Sequence, residues 1–270
     1  MSYLETATIA AIKVKAIILE KYKITNFGPV GEFLGIEIHH NGTGISLGQK
    51  ANITRILRQF GMEHTQSVSP HMHPNVELDL AEDRRENELD DITDYQAVVG
   101  SPMYAALATR PDISYAVAAF AHDNSQPFTR HMTTAKSVLQ YLKSTADFSL
   151  HFDHNCIDIN ISNSLLWYSD SDWANDSADR KSQGGHVFLA SNGAISWQSR
   201  KQSLIAGSTL EAEFIACLEA FWEAKWLLQL QNDIHNKDSL PLPINCDNQG
   251  ALTLNTMGII KARTKHIDIC

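Results

Sequence analysis

The sequence predicts an α/β fold in which helices pack on a mixed β-sheet. Three observations predict it. From about residue 147 the pattern turns β-rich, then alternates helix, strand and helix, the order in which helices come to cover a sheet. Between 94 and 145, three consecutive stretches carry helical periodicity. The composition, 43% hydrophobic and 20% charged over 270 residues, is globular and supports one or two cores.

The elements follow in chain order. Residues 8–22 predict a helix, with Ile9, Ile12, Val14, Ile17, Ile18 and Leu19 apolar and Lys13, Lys15 and Glu20 left for solvent. Residues 28–49 predict a hairpin, because alternating FLGIEI runs into Asn41-Gly42-Thr43-Gly44 and ISL follows. KANITRILRQFGM (50–62) predicts a helix closed by Gly61 as its C′ residue. The acidic run AEDRRENELDDITD (81–94) reads as a solvated linker. Helices are expected over 94–109, over 111–125 with Pro111 in the first turn, and over 133–145 with Val138, Leu139 and Leu142 inward. SLHFDH, SLLWYSD and GGHVFLASNGAISWQS then predict strands, with Ser191-Asn192-Gly193 as a hairpin turn. A long helix over 209–232, a short strand LPINCD and a helix QGALTLNTMG complete the pattern.

Composition also excludes function classes. No run of 18 apolar residues exists, so no membrane span is expected. The apolar N-terminal stretch is interrupted by Lys13 and Lys15 and preceded by Glu5, unlike a secretory signal, so an intracellular location is expected. Cys156, Cys217, Cys246 and Cys270 form no CxxC pair, which argues against a disulfide framework or a structural zinc site. A net charge of −9 is awkward for a nucleic-acid binder. However, residues 61–100 hold ten acids against two basic residues, while residues 1–60 hold seven Lys/Arg against four acids.

Three carboxylates stand where strands or helices begin or end. Ser208-Thr209-Leu210-Glu211 matches a capping box, which gives Glu211 a structural task and leaves Glu213 unexplained. Glu213 shares a helix face with Ala216, Cys217, Ala220 and Ala224. An acid heading such a small-residue stripe is partly buried, which is costly unless it is paired or binds a cation. A first-turn Glu favoured by the helix dipole is the plain alternative. Asp170 ends SLLWYSD and alternates onto the face of Leu166 and Tyr168, with a turn residue at the start of the loop SDWANDSADRK as the plain alternative. Asp172 shares that face, so the residues alone do not separate the two acids. Asp247 precedes a helix, where an Asp is first of all an N-cap. Together the three suggest a divalent-metal site at strand ends.

At these residues the chain resembles the C-terminal part of a Ty1/copia-type retrotransposon polyprotein. The matching segments are FLGIEI (33–38), GISLGQKANITRILRQFGM (44–62), YQAVVGSPMYAALATRPDISYAV (95–117), VLQYLKST (138–145), YSDSDWANDSADRKSQGGHVF (168–188), AISWQSRKQ (194–202), STLEAEFIA (208–216), CDNQGAL (246–252) and RTKHIDI (263–269). The resemblance implies a reverse-transcriptase remnant over 1–62, an acidic linker and helical connection over 63–146, and an RNase H-like domain over 147–270. It also implies cleavage of the RNA strand of RNA–DNA hybrids by two Mg²⁺ ions, with Mn²⁺ as the alternative metal. The family's first three metal-binding acids fall on Asp170, Glu213 and Asp247. Arg180, Lys181, Arg200 and Lys201 are candidate phosphate contacts, with ordinary surface charge as the alternative for each.

The partners implied are the hybrid and the polyprotein's polymerase and integrase parts, in a cytoplasmic particle or the nucleus. The family's YxDD polymerase aspartates have no counterpart here, so no DNA synthesis is expected. The family's last strand and helix, with its fourth acid, also have none, and Asp268 is a poor substitute. This leaves a catalytically inactive relic as the second reading. Pro102 replaces a family Leu inside a predicted helix.

Overall fold

The computed structural model describes residues 15–25, 28–65, 91–153, 165–174, 176 and 179–235. They form an α/β arrangement of helices and two antiparallel sheets. The first sheet has the order β1 (Glu32–Phe33), β2 (Ile36–His40), β3 (Gly44–Gly48), β4 (Ser149–Asp153). The second has the order β5 (Leu165–Asp172), β6 (Gln183–Ala190), β7 (Gly193–Lys201). The expected mixed sheet is not seen among the described residues, where every strand pair is antiparallel. LPINCD, the strand expected next, lies outside them, as do QGALTLNTMG and KHIDI.

Local chemistry sets the early elements. The Asn41 side chain accepts from Thr43 N, Thr43 Oγ1 and Gly44 N, closing the turn between β2 and β3. Helix α1 (Lys50–Gln59) ends in a Schellman motif. There Gly61 N donates to Arg58 O, Met62 N donates to Leu57 O, and Gly61 takes φ 64°, as its predicted C′ role requires. Of the helix predicted over 8–22, the described part is helical over 15–21.

The connection is helical, as expected. Helix α2 (Ile92–Ala108) starts at Asp91, whose carboxylate accepts from Thr93 N, and it keeps Pro102 buried in its interior. A 3₁₀ turn (Pro111–Ile113) leads into α3 (Ser114–His122), so the helix predicted over 111–125 is shorter and begins tighter. Helix α4 (Thr129–Ser144) follows. Ile53, Ile56, Val98, Ile113, Phe120, Leu139 and Leu142 from these four helices and the turn share one core.

Buried Arg110 ties this core together. Its guanidinium donates to both Asp112 carboxylate oxygens, to Thr145 O and to Thr145 Oγ1. Tyr141 OH donates to the same Asp112, at 2.8 Å.

The strand SLHFDH forms β4, but its ladder runs to β3, from Gly44↔Asp153 to Gly48↔Ser149. By pairing it belongs to the first sheet, not to the sheet of β5–β7. The turn Ser191-Asn192 between β6 and β7 has φ 49° and 65°, the left-handed pair of a two-residue hairpin. Asp153 N donates to Ser191 O, and Trp197 Nε1 donates to Ala106 O at 2.7 Å. These bonds dock the second sheet on the first and on the end of α2.

Helix α5 (Thr209–His235) covers one face of the second sheet. Its predicted small-residue stripe packs there, with Ala220, Ala224 and Leu227 against Leu165, Trp167 and Phe188. Trp167 and Phe188 stack with ring centroids 5.3 Å apart.

Candidate functional site at the end of the second sheet

The start of α5 is fixed by its own sequence. Ser208 Oγ accepts from Glu211 N, and Glu211 Oε2 accepts from Gly207 N at 2.8 Å. The reciprocal cap is thus formed, with the Glu reaching one residue further back than the standard motif. Glu213 takes no part in these cap bonds. It is 7% exposed, in the first turns of α5, at the head of the stripe that faces the sheet.

Strand β5 alternates regularly. Leu165, Trp167 and Ser169 are buried, while Leu166, Tyr168, Asp170 and Asp172 are exposed. The core formed by Leu165 and Trp167 with α5 identifies the buried side as the helix side. Ser169, and Ser171 by the same period, therefore face α5, and Asp170 lies on the opposite face with its Oδ1 accepting from Ser171 N. Asp170 and Asp172 share that face, as the alternation predicts. The structure thus brings the end of β5 and the start of α5 to one end of the sheet, but it places Asp170 and Glu213 on opposite faces of β5. Asp247 lies outside the described residues. Among the described residues, no cluster of three His, Cys, Asp or Glu could hold a metal ion.

The helix side of the sheet end still offers oxygen donors. Ser169 Oγ, Ser171 Oγ and Gln202 Oε1 are buried and take no hydrogen bond from the described protein. Like the carboxylate of Glu213, these are hard oxygen donors, the type Mg²⁺ prefers. The donor chemistry therefore fits the ion that the family resemblance implies, although the three-acid set is not assembled by the described residues.

Several ties that the sequence reading missed hold this end together. Trp173 Nε1 donates to Ala206 O at 3.0 Å, joining the end of β5 to the loop before α5. Ala174 N donates to Ser182 Oγ, Gln202 N to Ser182 O, and Gln202 Nε2 to Ala212 O. No periodicity marks Ser182 or Gln202. The one available signal was a neutral amide placed directly after the basic run of β7.

The four candidate phosphate contacts differ in surroundings. Lys201 Nζ lies 2.5 Å from Asp176 and 2.9 Å from Asp179. Burial lowers its pKa, but the bonds to Asp176 and Asp179 outweigh this and raise it overall. Lys181 Nζ lies 3.9 Å from Asp179. Arg180 is exposed at φ 58° on the loop, and its N–H donates to Asp176 O. Arg200 is exposed near the end of β7. Burial raises the pKa of Glu219 on α5, and the charge of Arg200 pulls it back. Arg180 and Arg200 are the more available pair, because Lys201 is held between two acids.

Comparison with known proteins decides the family. The chain is 33% identical over 267 residues to the "Retrovirus-related Pol polyprotein from transposon TNT 1-94" of Nicotiana tabacum, covering 95% of this chain and 19% of that protein. It is 32% identical over 251 residues to the RE1 Pol polyprotein of Arabidopsis thaliana, covering 93% of this chain and 16% of that protein. The RE2 Pol polyprotein of the same plant matches at 32% over 249 residues, covering 92% of this chain and 16% of that protein. The chain belongs to the Ty1/copia-type retrotransposon Pol polyproteins. It spans less than a fifth of the length of these relatives. No family model and no solved structure matches it. In this Pol region, no described helix is long and apolar enough to cross a membrane.

Proposed function

We propose that this Pol region is an RNase H module that hydrolyses the RNA strand of RNA–DNA hybrids with Mg²⁺. The observation that carries the proposal is Glu213: a carboxylate buried at the end of a sheet, in a helix whose cap is already made by Glu211. Burying an acid is costly, and a bound cation is one way to offset it. Membership of the Pol family supports the reading, as does the meeting of the end of β5 with the start of α5. When bound, the metal would activate water and stabilise the leaving oxygen.

The chain's own residues would serve the substrate in distinct ways. Glu213 and Asp247 would supply anionic oxygens. Asp170 would join them only by turning around the last residues of β5, where its neighbours Ser171 and Asp172 pair with Gly184 and Gln183. Arg180 and Arg200 would meet phosphates, each as a contact that weakens with salt. The preference for RNA would come from 2′-hydroxyls in the hybrid's minor groove. The partners would be the hybrid and the other Pol parts, in a cytoplasmic particle or the nucleus. The comparisons do not favour an inactive relic.

The test is a cleavage assay on a labelled hybrid with Mg²⁺. The wild-type chain is expected to cut the RNA strand, and Glu213→Gln to cut at least about a hundred-fold more slowly. Asp170→Asn is expected to lose activity comparably. A Glu213→Gln protein that cuts as fast as wild type would overturn the reading.

A further inference from the structure

We infer that Gln202 is the positioning residue of Glu213, the clamp that sets the first turns of α5 against the end of the second sheet. The inference rests on the proposed metal role of Glu213.

Gln202 is 1% exposed and sits one residue beyond β7. Polar groups so buried need partners, and both the backbone N–H and the side-chain Nε2 have them. Its backbone N–H donates to Ser182 O at 2.8 Å, and Ser182 Oγ in turn accepts from Ala174 N, in the loop after β5. Its side-chain Nε2 donates to Ala212 O at 2.8 Å. Ala212 is the residue immediately before Glu213. Through its backbone N–H and its side chain, this one residue links Ser182, which holds the loop leaving the Asp170 strand, to the peptide that carries Glu213.

The space confirms the fit. A Cβ on Gly184 of β6 would lie 3.4 Å from Gln202 Nε2 and 3.5 Å from Ala216 Cβ, so the amide and the helix both lie over the bare backbone of this glycine. The other end of the amide is the second observation. Gln202 Oε1 is buried and accepts no hydrogen bond from the described protein, and the same holds for the hydroxyls of Ser169 and Ser171 on the helix side of β5. Three neutral oxygens are thus left open at the end of the sheet to which the start of α5 is tied. These can orient a water or a cation-bound water without adding charge to the site.

The cap alone does not fix this geometry. Ser208 and Glu211 bond to the helix's own first turn and to Gly207, and so define where α5 begins. The Gln202–Ala212 bond runs from the end of β7 to α5 at the turn of Glu213.

The experiment compares the full chain with Gln202→Met, which keeps length and bulk but loses both polar ends, and with Gln202→Glu, which keeps an oxygen but loses the donor. Two readouts are taken: amide hydrogen exchange by peptide, and hybrid cleavage across a Mg²⁺ titration. In both variants, exchange over residues 209–216 is expected to speed up about ten-fold, with α2 and α4 unchanged. The Mg²⁺ concentration for half-maximal cleavage is expected to rise about ten-fold or more, with KM for the hybrid unchanged. A merely structural role would slow exchange nowhere and speed it everywhere, without moving the Mg²⁺ midpoint.

Wild-type exchange and an unmoved midpoint in Gln202→Met overturn the inference. So does a failure of both variants to fold, which would make Gln202 a folding residue of the whole unit. If the wild-type chain cuts no hybrid under any condition, the RNase H reading fails. The exchange readout then still decides whether Gln202 holds the Glu213 turn.

Discussion

Among the described residues, the buried polar groups around Arg110 and those at the end of the second sheet are built on opposite principles. Around Arg110, each group shown is answered by another protein group: Asp112, Thr145 O, Thr145 Oγ1 and the Tyr141 hydroxyl form a closed set. Arg110 also lies 5.5 Å from the ring centroids of both Tyr141 and Phe148. At the end of the second sheet, Gln202 Oε1 and the hydroxyls of Ser169 and Ser171 are buried yet unanswered by the described protein. A complete cluster is a device for holding the fold. A cluster with oxygens to spare is where something other than protein can bind.

The difference predicts unequal responses to mutation. Arg110→Met leaves Asp112 beside Tyr141 without its cation and removes a buried hydrogen-bonded pair. About 3 kcal/mol of stability should be lost, read as the urea midpoint multiplied by the m-value. Glu213→Gln should cost clearly less stability, because the amide keeps the size of the side chain and a capacity to hydrogen-bond while one buried charge disappears. Its main cost should appear in hybrid cleavage. If Glu213→Gln unfolded the chain as readily as Arg110→Met, both clusters would be structural and the contrast would collapse.

How much of this was legible in the sequence depends on the range of the forces involved. The β2–β3 hairpin, the Gly61 cap, the 191–192 turn and the Ser208/Glu211 cap are local, so spacing and residue type sufficed. Glu213 was legible by subtraction, because the cap motif claimed Glu211 and the alanine stripe implied burial. What spacing could not reveal were pairings between distant segments. The ladder of β4 with β3 bridges about a hundred residues, and nothing in SLHFDH states which sheet it joins. The face of Asp170 follows from period two, but which face α5 covers is a tertiary fact. Arg110 and Gln202 are ordinary polar letters until the fold brings Thr145 or Ala212 to them.

A smaller effect tests how complete the Arg110 cluster is. Tyr141→Phe removes one hydrogen bond to Asp112, at 2.8 Å, and leaves the guanidinium contacts in place. The loss expected is about 1 kcal/mol in the same urea measurement. Made in the Arg110→Met background, the same substitution should cost less than it does alone, because the two share Asp112. Strict additivity would mean that the cluster is a set of separate contacts, not one unit.

The smallest effect expected is a slope in pH, and it again separates filled from unfilled polar sites. His131 is buried in the connection. Its Nδ1 accepts from Phe128 N at 3.3 Å, and its Nε2 is buried with no partner among the described residues. Burial first, and the charge of Arg130 second, hold its pKa below the ordinary imidazole value. Asp123 Oδ2, 3.9 Å away, does not reverse this, and burial raises that carboxyl's own pKa. The unfolded chain therefore binds a proton more readily than the folded one as pH falls through 6.5 and below. Stability should be full above that range and decline beneath it. The urea midpoint should be lower at pH 5.5 than at pH 7.5. His131→Gln should flatten the slope, leaving the share of His186, whose pKa burial also lowers against the opposing charge of Glu223. Asp123 works in the opposite sense, its raised pKa favouring the fold at acid pH, so a slope that reversed in His131→Gln would expose its contribution. An unchanged slope in that variant would mean that His131 meets a partner in solution, and that this unfilled site belongs with the closed cluster around Arg110.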